Sequence, residues 1–572
     1  MNILILFVLT GLSCLAVLKK HPWVAAIACG LGLGLASPPN GFWWLHWVLW
    51  VPVLILLQPG QNKANFKLGY LTGLAGLSTC FFWISESITH YSNLPRPLAL
   101  IAVLLFAAIY ALPFAVSFVV VRPLRRHFPR AWVLLVPAVA VATEFAPLAL
   151  DQLTGVRLSL FPYFQGATQY RVLPSVQIAS VAGITIMTFL VYMTNCAVAE
   201  CFYRRQEGKS IPWRIPAAAF GLLVLNASWG SLRIARVEAE VSTWPTARLS
   251  QLQQDLTMDE RMQKAAAGAE EAGGGLSKLE GISTPTNTPK NDPLLDCADS
   301  ICTWSHLNGK IRKRQEQMDL VVLPEGSILY DPRGRRTLRR LQWEAKQSKA
   351  PILLGAGYRD RRDDGTTSDH NSIFLLDENG LIDHYDKMIL LPFGEFIPFS
   401  QKFPILKKWI QGPGDFDPGK SAVAFEIAAK GDRPGFRFYT PVCYEAIIPH
   451  YMRWNMSDAD LLINVTNDGW FGDTMAPHQH AMLAVARSIE LGIPMYRLGF
   501  TGVSLTATPT GEISNETAAF ERVSRVVEVP VGQLPTLYKR FGDWFGWGCT
   551  LLSLGLWGFV RRRSVTPTPT LT

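Results

Sequence analysis

Tyr439-Thr440-Pro441-Val442-Cys443-Tyr444-Glu445 is the stretch on which the reading of this chain turns. It follows a strand-like run, Phe436-Arg437-Phe438, and puts a thiol where that strand stops, with an aromatic ring and a carboxylate directly behind it. A strand end is a place where an activated nucleophile can stand. The plainer reading is packing, because free cysteines are among the most buried side chains. The rest of the chain decides between the two.

Working outward, short β runs alternate with helical stretches. Leu320 to Leu323, Pro351 to Gly355, Phe436 to Val442 and Leu461 to Val465 read as strands. Ser372 to Leu376 and Leu381 to Tyr385 flank Asn379-Gly380 as a hairpin, and Val503 to Thr508 with Val523 to Val529 complete the set. Thr337 to Lys349 and His478 to Leu491 read as helices, so the region is an α/β or α+β layered domain. Two more strand ends carry reactive groups. Leu323-Pro324-Glu325-Gly326 ends in a carboxylate; Tyr385-Asp386-Lys387 ends in an ammonium and is followed by Leu391-Pro392-Phe393-Gly394-Glu395. Alone, a Glu before Gly is a solvated turn and a Lys after Asp is a surface pair worth under ~1 kcal/mol. Together, Glu325 as base, Lys387 as oxyanion partner and Cys443 as nucleophile are what acyl transfer through a thioester requires.

The composition sets this domain beside a membrane. Only 17% of the 572 residues are charged and 49% are hydrophobic, with 18 Trp and 30 Phe. The net charge of +9 does not indicate nucleic acid, since the basic residues flank apolar runs instead of clustering on one soluble segment. Nine cysteines are scattered without a CxxC pair or a His/Cys spacing suited to zinc, so no metal and no cofactor are expected. Cys297 and Cys302 read equally as a disulfide or as two free thiols.

Apolar runs occupy 3–18, 22–37, 42–58, 67–89, 98–121, 131–150, 173–200, 214–230 and 545–560, and a bilayer needs ~20 residues in a helix. The opening run reads as retained, because Lys19-Lys20 follows it where a cleavage site would stand. Basic residues fall in every second loop: Lys19-Lys20, Lys63 and Lys67, Arg122 to Arg130, Arg204 to Arg214, and Arg561 to Arg563. The positive-inside rule makes those loops cytoplasmic and puts 231–544, with Cys443, outside. The expected domains are a helical membrane part over 1–230 with seven or eight spans, an external catalytic domain over 231–544 with a low-complexity insertion near 262–300, and a C-terminal helix with a short tail over 545–572. Glu86 and Glu144 lie toward the outer ends of their runs, either at headgroup level or lining a groove.

The motifs resemble one family. Leu-Pro-Glu-Gly (323–326), Tyr-Asp-Lys with Leu-Pro-Phe-Gly-Glu-Phe-Ile-Pro (385–398), Val-Cys-Tyr-Glu (442–445), and Asn-Asp-Gly-Trp-Phe-Gly (467–472) leading into His478-Gln479-His480 are similar to the apolipoprotein N-acyltransferases, membrane members of the carbon-nitrogen hydrolase (nitrilase) superfamily. Thr143-Glu144-Phe145 and Phe161-Pro162-Tyr163 match further elements in the first half. The resemblance implies a polytopic α-helical membrane domain of eight spans with an external nitrilase-like αββα sandwich, in the bacterial inner membrane with the catalytic domain on the periplasmic side. It implies Glu325, Lys387 and Cys443 as the catalytic triad, Glu395 positioning the lysine, and Tyr444 and Glu445 needed beside the nucleophile. The implied reaction moves a phospholipid acyl chain to Cys443 and then to the N-terminal amine of a diacylglyceryl-cysteine apolipoprotein, by an enzyme expected to act as a monomer and without nucleic acid. Phe393, Phe396, Ile397, Phe399, Trp470 and Phe471 supply apolar side chains for a lipid-facing mouth or for core packing. The chain departs from the family pattern at Leu252-Gln253-Gln254-Asp255, where a tryptophan is missing downstream, at Tyr163, and at Phe500, which stands where the family has an Asn and raises the question of a different acceptor. These departures leave two alternatives: a membrane-anchored amidase or hydrolase, and a paralogous acyltransferase with another amine acceptor.

Overall fold

Long apolar runs satisfy their backbone groups internally as helices, whereas short β-branched runs between Gly and Pro pair as strands. In the computed structural model both kinds are present, in two compact units that divide at Ile234/Ala235 and Lys539/Arg540, with the short segment 87–93 belonging to the second. The structure describes residues 20–91, 95–155, 161–254, 300–328, 331–361, 365–397, 400, 416–431 and 433–565. The opening apolar run, the low-complexity insertion, Cys14, Cys297 and Phe399 lie outside them.

In the helical unit, four helices are long and apolar enough to cross a bilayer: Arg96–His127, Trp132–Thr154, Thr185–Gln206 and Arg214–Val241. Asn62–Cys80 and Trp83–Thr89, bent by 53° against each other, make a fifth if taken as one span. The remaining runs differ from the sequence reading. Pro22–Ala36 and Trp43–Leu54 are shorter apolar helices. The run at 173–200 is interrupted, so that two one-turn helices, Leu173–Val176 and Ala179–Ala182, precede the long one. Arg214–Val241 continues past the expected end at 230, since no helix breaker occurs before Pro245. Trp544–Val565 is a helix of 22 residues whose glycines lower its hydropathy, and it is not among the four.

Many buried polar groups in this unit are paired, while His46 Nε2 and Gln165 Oε1 have no hydrogen-bond partner among the described residues. Asn195 Oδ1 accepts the Trp50 N–H at 2.9 Å, and its Nδ2 donates to the His46 carbonyl at 2.8 Å. Glu200, fully buried, takes Arg125 at 2.6 Å, Arg204 at 2.9 Å and the Trp132 indole N–H at 3.1 Å. Glu86 pairs with Arg96 at 2.6 Å with both side chains exposed.

The other unit is built on twelve described strands: β1 (Thr246–Gln253), β2 (Val321–Val322), β3 (Ile352–Arg361), β4 (Thr367–Leu376), β5 (Leu381–Asp386), β6 (Phe425–Ile427), β7 (Phe436–Tyr439), β8 (Leu461–Thr466), β9 (Met495–Gly499), β10 (Leu505–Ala507), β11 (Ile513–Ser514) and β12 (Val523–Pro530). One sheet runs β11-β10-β9-β8-β7-β6, with β7, β8 and β9 parallel. The second runs β2-β3-β4-β5, and a bridge between Leu249 and Leu320 joins it to the antiparallel pair β1-β12. Helices Ser300–Lys313 and Arg335–Ser348 bury Ile301, Trp304, Leu307, Leu341 and Ala345 with Val321, Leu323, Ile352 and Leu354 of the second sheet. Pro449–Met456 and Ala476–Leu491 pack beside the first. This is the layered nitrilase-like fold: helices outside, two sheets inside.

The hairpin forms as read, with β4 and β5 antiparallel and the Asp377 carboxylate accepting the N–H groups of Asn379 and Gly380. Phe500 is 1% exposed and meets Trp304 edge to face at 5.8 Å inside the core under the second sheet. It fills a hydrophobic layer. Cys302 is disulfide-bonded, to a partner outside the described residues.

Candidate active site

Glu325 follows β2, where Pro324 and Gly326 end the strand. Its Oε1 accepts Asn371 Nδ2 at 2.8 Å and lies 3.1 Å from Lys387 Nζ, and its Oε2 accepts the Asn467 N–H at 2.9 Å. The turn sits directly on β3. A Cβ at Gly355 would stand 2.6 Å from both Glu325 Cα and Gly326 N, so only glycine permits this approach. Gly355→Ala is therefore expected to push Glu325 outward. A displacement near 1 Å costs about 10²-fold in rate, while the overpacking costs about 1–3 kcal/mol. Parallel measurement of turnover and thermal unfolding checks this, and unchanged turnover would refute it.

Lys387 stands just beyond β5, its backbone N–H donating to the Asn371 carbonyl at 2.9 Å. The side chain is 1% exposed and its ammonium lies 2.9 Å from the Glu395 carboxylate. Asn371, on β4, also donates to Glu395 Oε1 at 2.7 Å, and the Leu391 N–H fixes Glu395 Oε2 at 2.7 Å. Burial alone would lower the lysine pKa; the Glu325 and Glu395 carboxylates outweigh it and hold the pKa well above the ordinary value. The ammonium is thus a permanent charge, held by two carboxylates and unable to act as a base.

Cys443 begins a short 3-10 turn, Cys443–Ile447, after β7. Its φ of 51° is left-handed, a conformation that costs of order 1–3 kcal/mol in a non-glycine residue and recurs at functional sites. Glu445 fixes this turn: its Oε2 accepts the Val442 N–H at 2.8 Å. Its Oε1 accepts the Met388 and Ile389 N–H groups at 2.8 and 2.9 Å and the Tyr385 hydroxyl at 2.7 Å. One carboxylate therefore ties the cysteine turn to the lysine segment. The thiol is 4% exposed; burial first, and then the Glu325 carboxylate, push its pKa far up, while Lys387 pulls the other way. It rests as a thiol and becomes a nucleophile only when a base removes its proton.

A buried network lies behind the nucleophile. Asp468 accepts the Thr466 hydroxyl at 2.9 Å and Arg497 Nη2 at 2.7 Å, and stands 2.8 Å from His480 Nδ1. Burial would raise the Asp468 pKa, but Arg497 and His480 bring it down to about 2. His480 Nε2 is 3.1 Å from the Cys443 carbonyl oxygen. Only the imidazolium donates to both acceptors at once, and burial with the nearby Arg497 charge works against it, lowering the ring pKa. Ligand atoms of Cys443, Asp468 and His480 lie within 4.8 Å of one another. Both ring nitrogens and both Asp468 oxygens are already engaged, so the cluster reads as a hydrogen-bond network and not as a metal cradle.

The structure thus brings Glu325, Lys387, Glu395, Cys443 and Glu445 together. Tyr444 is buried beside them. Of the expected mouth residues, Phe393 is 51% exposed, Phe396 and Trp470 are half-buried, and Phe471 is buried edge-on against the His480 ring at 6.2 Å. Sequence reasoning passed over Asn371, since an Asn inside a strand gives no local signal. It passed over the Asp468–His480–Arg497 network although the first two stood within a quoted motif.

Residues 246–534 match the family model "Carbon-nitrogen hydrolase", and residues 29–197 match "Apolipoprotein N-acyltransferase N-terminal domain". The chain belongs to the apolipoprotein N-acyltransferase family of the carbon-nitrogen hydrolase superfamily. An apolipoprotein N-acyltransferase of Geobacter metallireducens is 28% identical over 542 residues, covering 93% of this chain and 94% of that protein. One from Bradyrhizobium diazoefficiens is 28% identical over 72% of this chain and 71% of that protein. One from Brucella suis reaches 32% over 43% and 47%. This family member is a multi-pass membrane protein with a carbon-nitrogen hydrolase-type catalytic domain.

Proposed function

We propose that the protein transfers an acyl chain from a phospholipid, through a thioester on Cys443, to the N-terminal amine of diacylglyceryl-cysteine apolipoproteins. One observation carries the reading: a buried Glu325–Lys387–Glu395 cluster adjoins a buried thiol on a strained turn. Burying a lysine with two carboxylates is costly, and such charge is kept where chemistry uses it.

In the first half-reaction, Glu325 takes the Cys443 proton as sulfur attacks the ester carbonyl. The Lys387 ammonium balances the oxyanion. Collapse breaks the C–O bond, and the leaving alkoxide recovers the proton from Glu325 as lysophospholipid departs. In the second, the acceptor amine attacks the thioester and gives its proton to Glu325. The C–S bond breaks and the thiolate is reprotonated. Glu395 and Asn371 position the lysine, and Glu445 positions the cysteine turn. Phe393, Phe396 and Trp470 offer apolar surface for the acyl chain.

The same reading places the catalytic domain outside a bacterial inner membrane, over about 231–544, with membrane helices before and after it, acting as a monomer. The basic loops support that orientation, as does the disulfide-bonded Cys302, since such bonds persist in oxidising compartments. A second reading, a membrane-anchored amidase, rests on the match to the hydrolase model. Complementation of a strain depleted of its own N-acyltransferase, with mass spectrometry of a lipoprotein N-terminus, tests the proposal. An added acyl group supports it; growth failure with a well-inserted protein, together with water-dependent acid release, would favour the amidase.

A further inference from the structure

The helical unit contains a cavity that the chemistry above does not use. It has about 50 Å³ of room for water-sized groups and is walled by Tyr110, Phe114, Phe161 and Tyr192. Glu144, on the Trp132–Thr154 helix, and Gln165 also line it. Glu144 Oε1 accepts the Thr188 hydroxyl at 2.7 Å, and Oε2 accepts the Gln165 N–H at 3.3 Å and Gln165 Nε2 at 3.2 Å. Gly166 makes this possible. A Cβ there would lie 2.3 Å from Thr188 N, whereas the bare N–H donates to Thr188 Oγ1 at 3.0 Å and turns that hydroxyl's proton toward Glu144.

Two acceptors remain unbalanced. A carboxylate has roughly four lone-pair sites, and among the described residues the Glu144 partners are a hydroxyl and amide groups, none of them a cation. Gln165 is 5% exposed and its Oε1 has no hydrogen-bond partner among the described residues. The amide cannot turn over to relieve this, because its Nε2 faces the Glu144 carboxylate and the Tyr192 hydroxyl, 3.4 Å away. A buried acceptor left without a donor is costly, and so is a carboxylate without a counter-charge in an apolar surround. Water or an alcohol would satisfy Gln165 but bring no counter-charge to the Glu144 carboxyl. A primary ammonium has hydrogens for both Gln165 Oε1 and the Glu144 carboxyl and a charge that complements the latter, and aromatic residues line the space around it.

We propose that this cavity binds the primary ammonium group of a lipid. Resting on the acyl-transfer reading, two molecules carry that group: a donor phospholipid with an ethanolamine headgroup, and the lipidated acceptor with its free α-amine. The test is calorimetric titration of the intact Cys443→Ala chain in detergent, which binds without turning over. The probes are short-chain phosphatidylethanolamine against phosphatidylglycerol, and a diacylglyceryl-cysteine peptide against its N-acetyl form. Glu144→Gln and Gln165→Leu are each expected to weaken one amine-bearing probe at least tenfold and to leave its amine-free counterpart unchanged. Loss confined to phosphatidylethanolamine assigns the cavity to the donor; loss confined to the free-amine peptide assigns it to the acceptor. Equal weakening of matched probes, or no change in either variant, overturns the proposal. Because this readout needs no turnover, its failure leaves the acyl-transfer reading standing, and failure of complementation leaves the binding result intact.

Discussion

Cys443→Ala is expected to remove both the acyl-enzyme adduct and all transfer, and Cys443→Ser to retain only a trace. The alanine lacks the atom that carries the acyl group. The serine keeps an oxygen, but a hydroxyl holds its proton far more tightly than a thiol, and the environment of Cys443 already disfavours the anion through burial and the Glu325 carboxylate. Intact-mass spectrometry after incubation with phospholipid measures the adduct directly. Full transfer by the alanine variant would end the thioester mechanism. Both variants keep the volume of the turn nearly constant, so unfolding temperatures close to the parent's are expected and separate lost chemistry from lost structure.

Lys387→Met has the second largest expected effect, and it acts on structure as well as rate. Without the ammonium, Glu325 and Glu395 share the Asn371 amide with no cation between them. Breaking one side of a buried ion pair costs about 3–5 kcal/mol; loss of an oxyanion partner costs about 10²–10³-fold in kcat. The two losses separate in a double variant. Glu395→Gln in the Lys387→Met background removes one of the repelling charges and is expected to restore part of the stability without restoring transfer. Recovery of transfer would mean that the lysine serves only to hold the fold.

The site was legible in the sequence because each reactive group ends a strand. Glu325, Lys387 and Cys443 follow β2, β5 and β7, and Pro324, Gly326 and Pro441 punctuate the first and third of those ends in the sequence. What could not be read is how the ends meet. Asn371 looks like any strand residue until β4 places it between two carboxylates. The Ser300–Lys313 helix was passed over because it borders a low-complexity segment, yet Ile301, Trp304, Leu307 and Ile311 mark its buried face at helical spacing. The contact of Phe500 with Trp304 in the buried layer of the second sheet joins residues nearly two hundred positions apart, which no local pattern announces. The membrane runs were legible by composition, and their breaks were not, since hydropathy sums are blind to the turns that divide 173–200.

Glu445 gathers four donors, one from the segment before the thiol and three from the segment around the ammonium. The sulfur and its electrostatic partner therefore drift together when the sheets breathe, as two points on one clamp. A lipid is a long, restless substrate whose tail transmits motion into whatever holds it. In the proposed reaction, this shared carboxylate would hold the thiol and the ammonium in register while an acyl chain moves at the site.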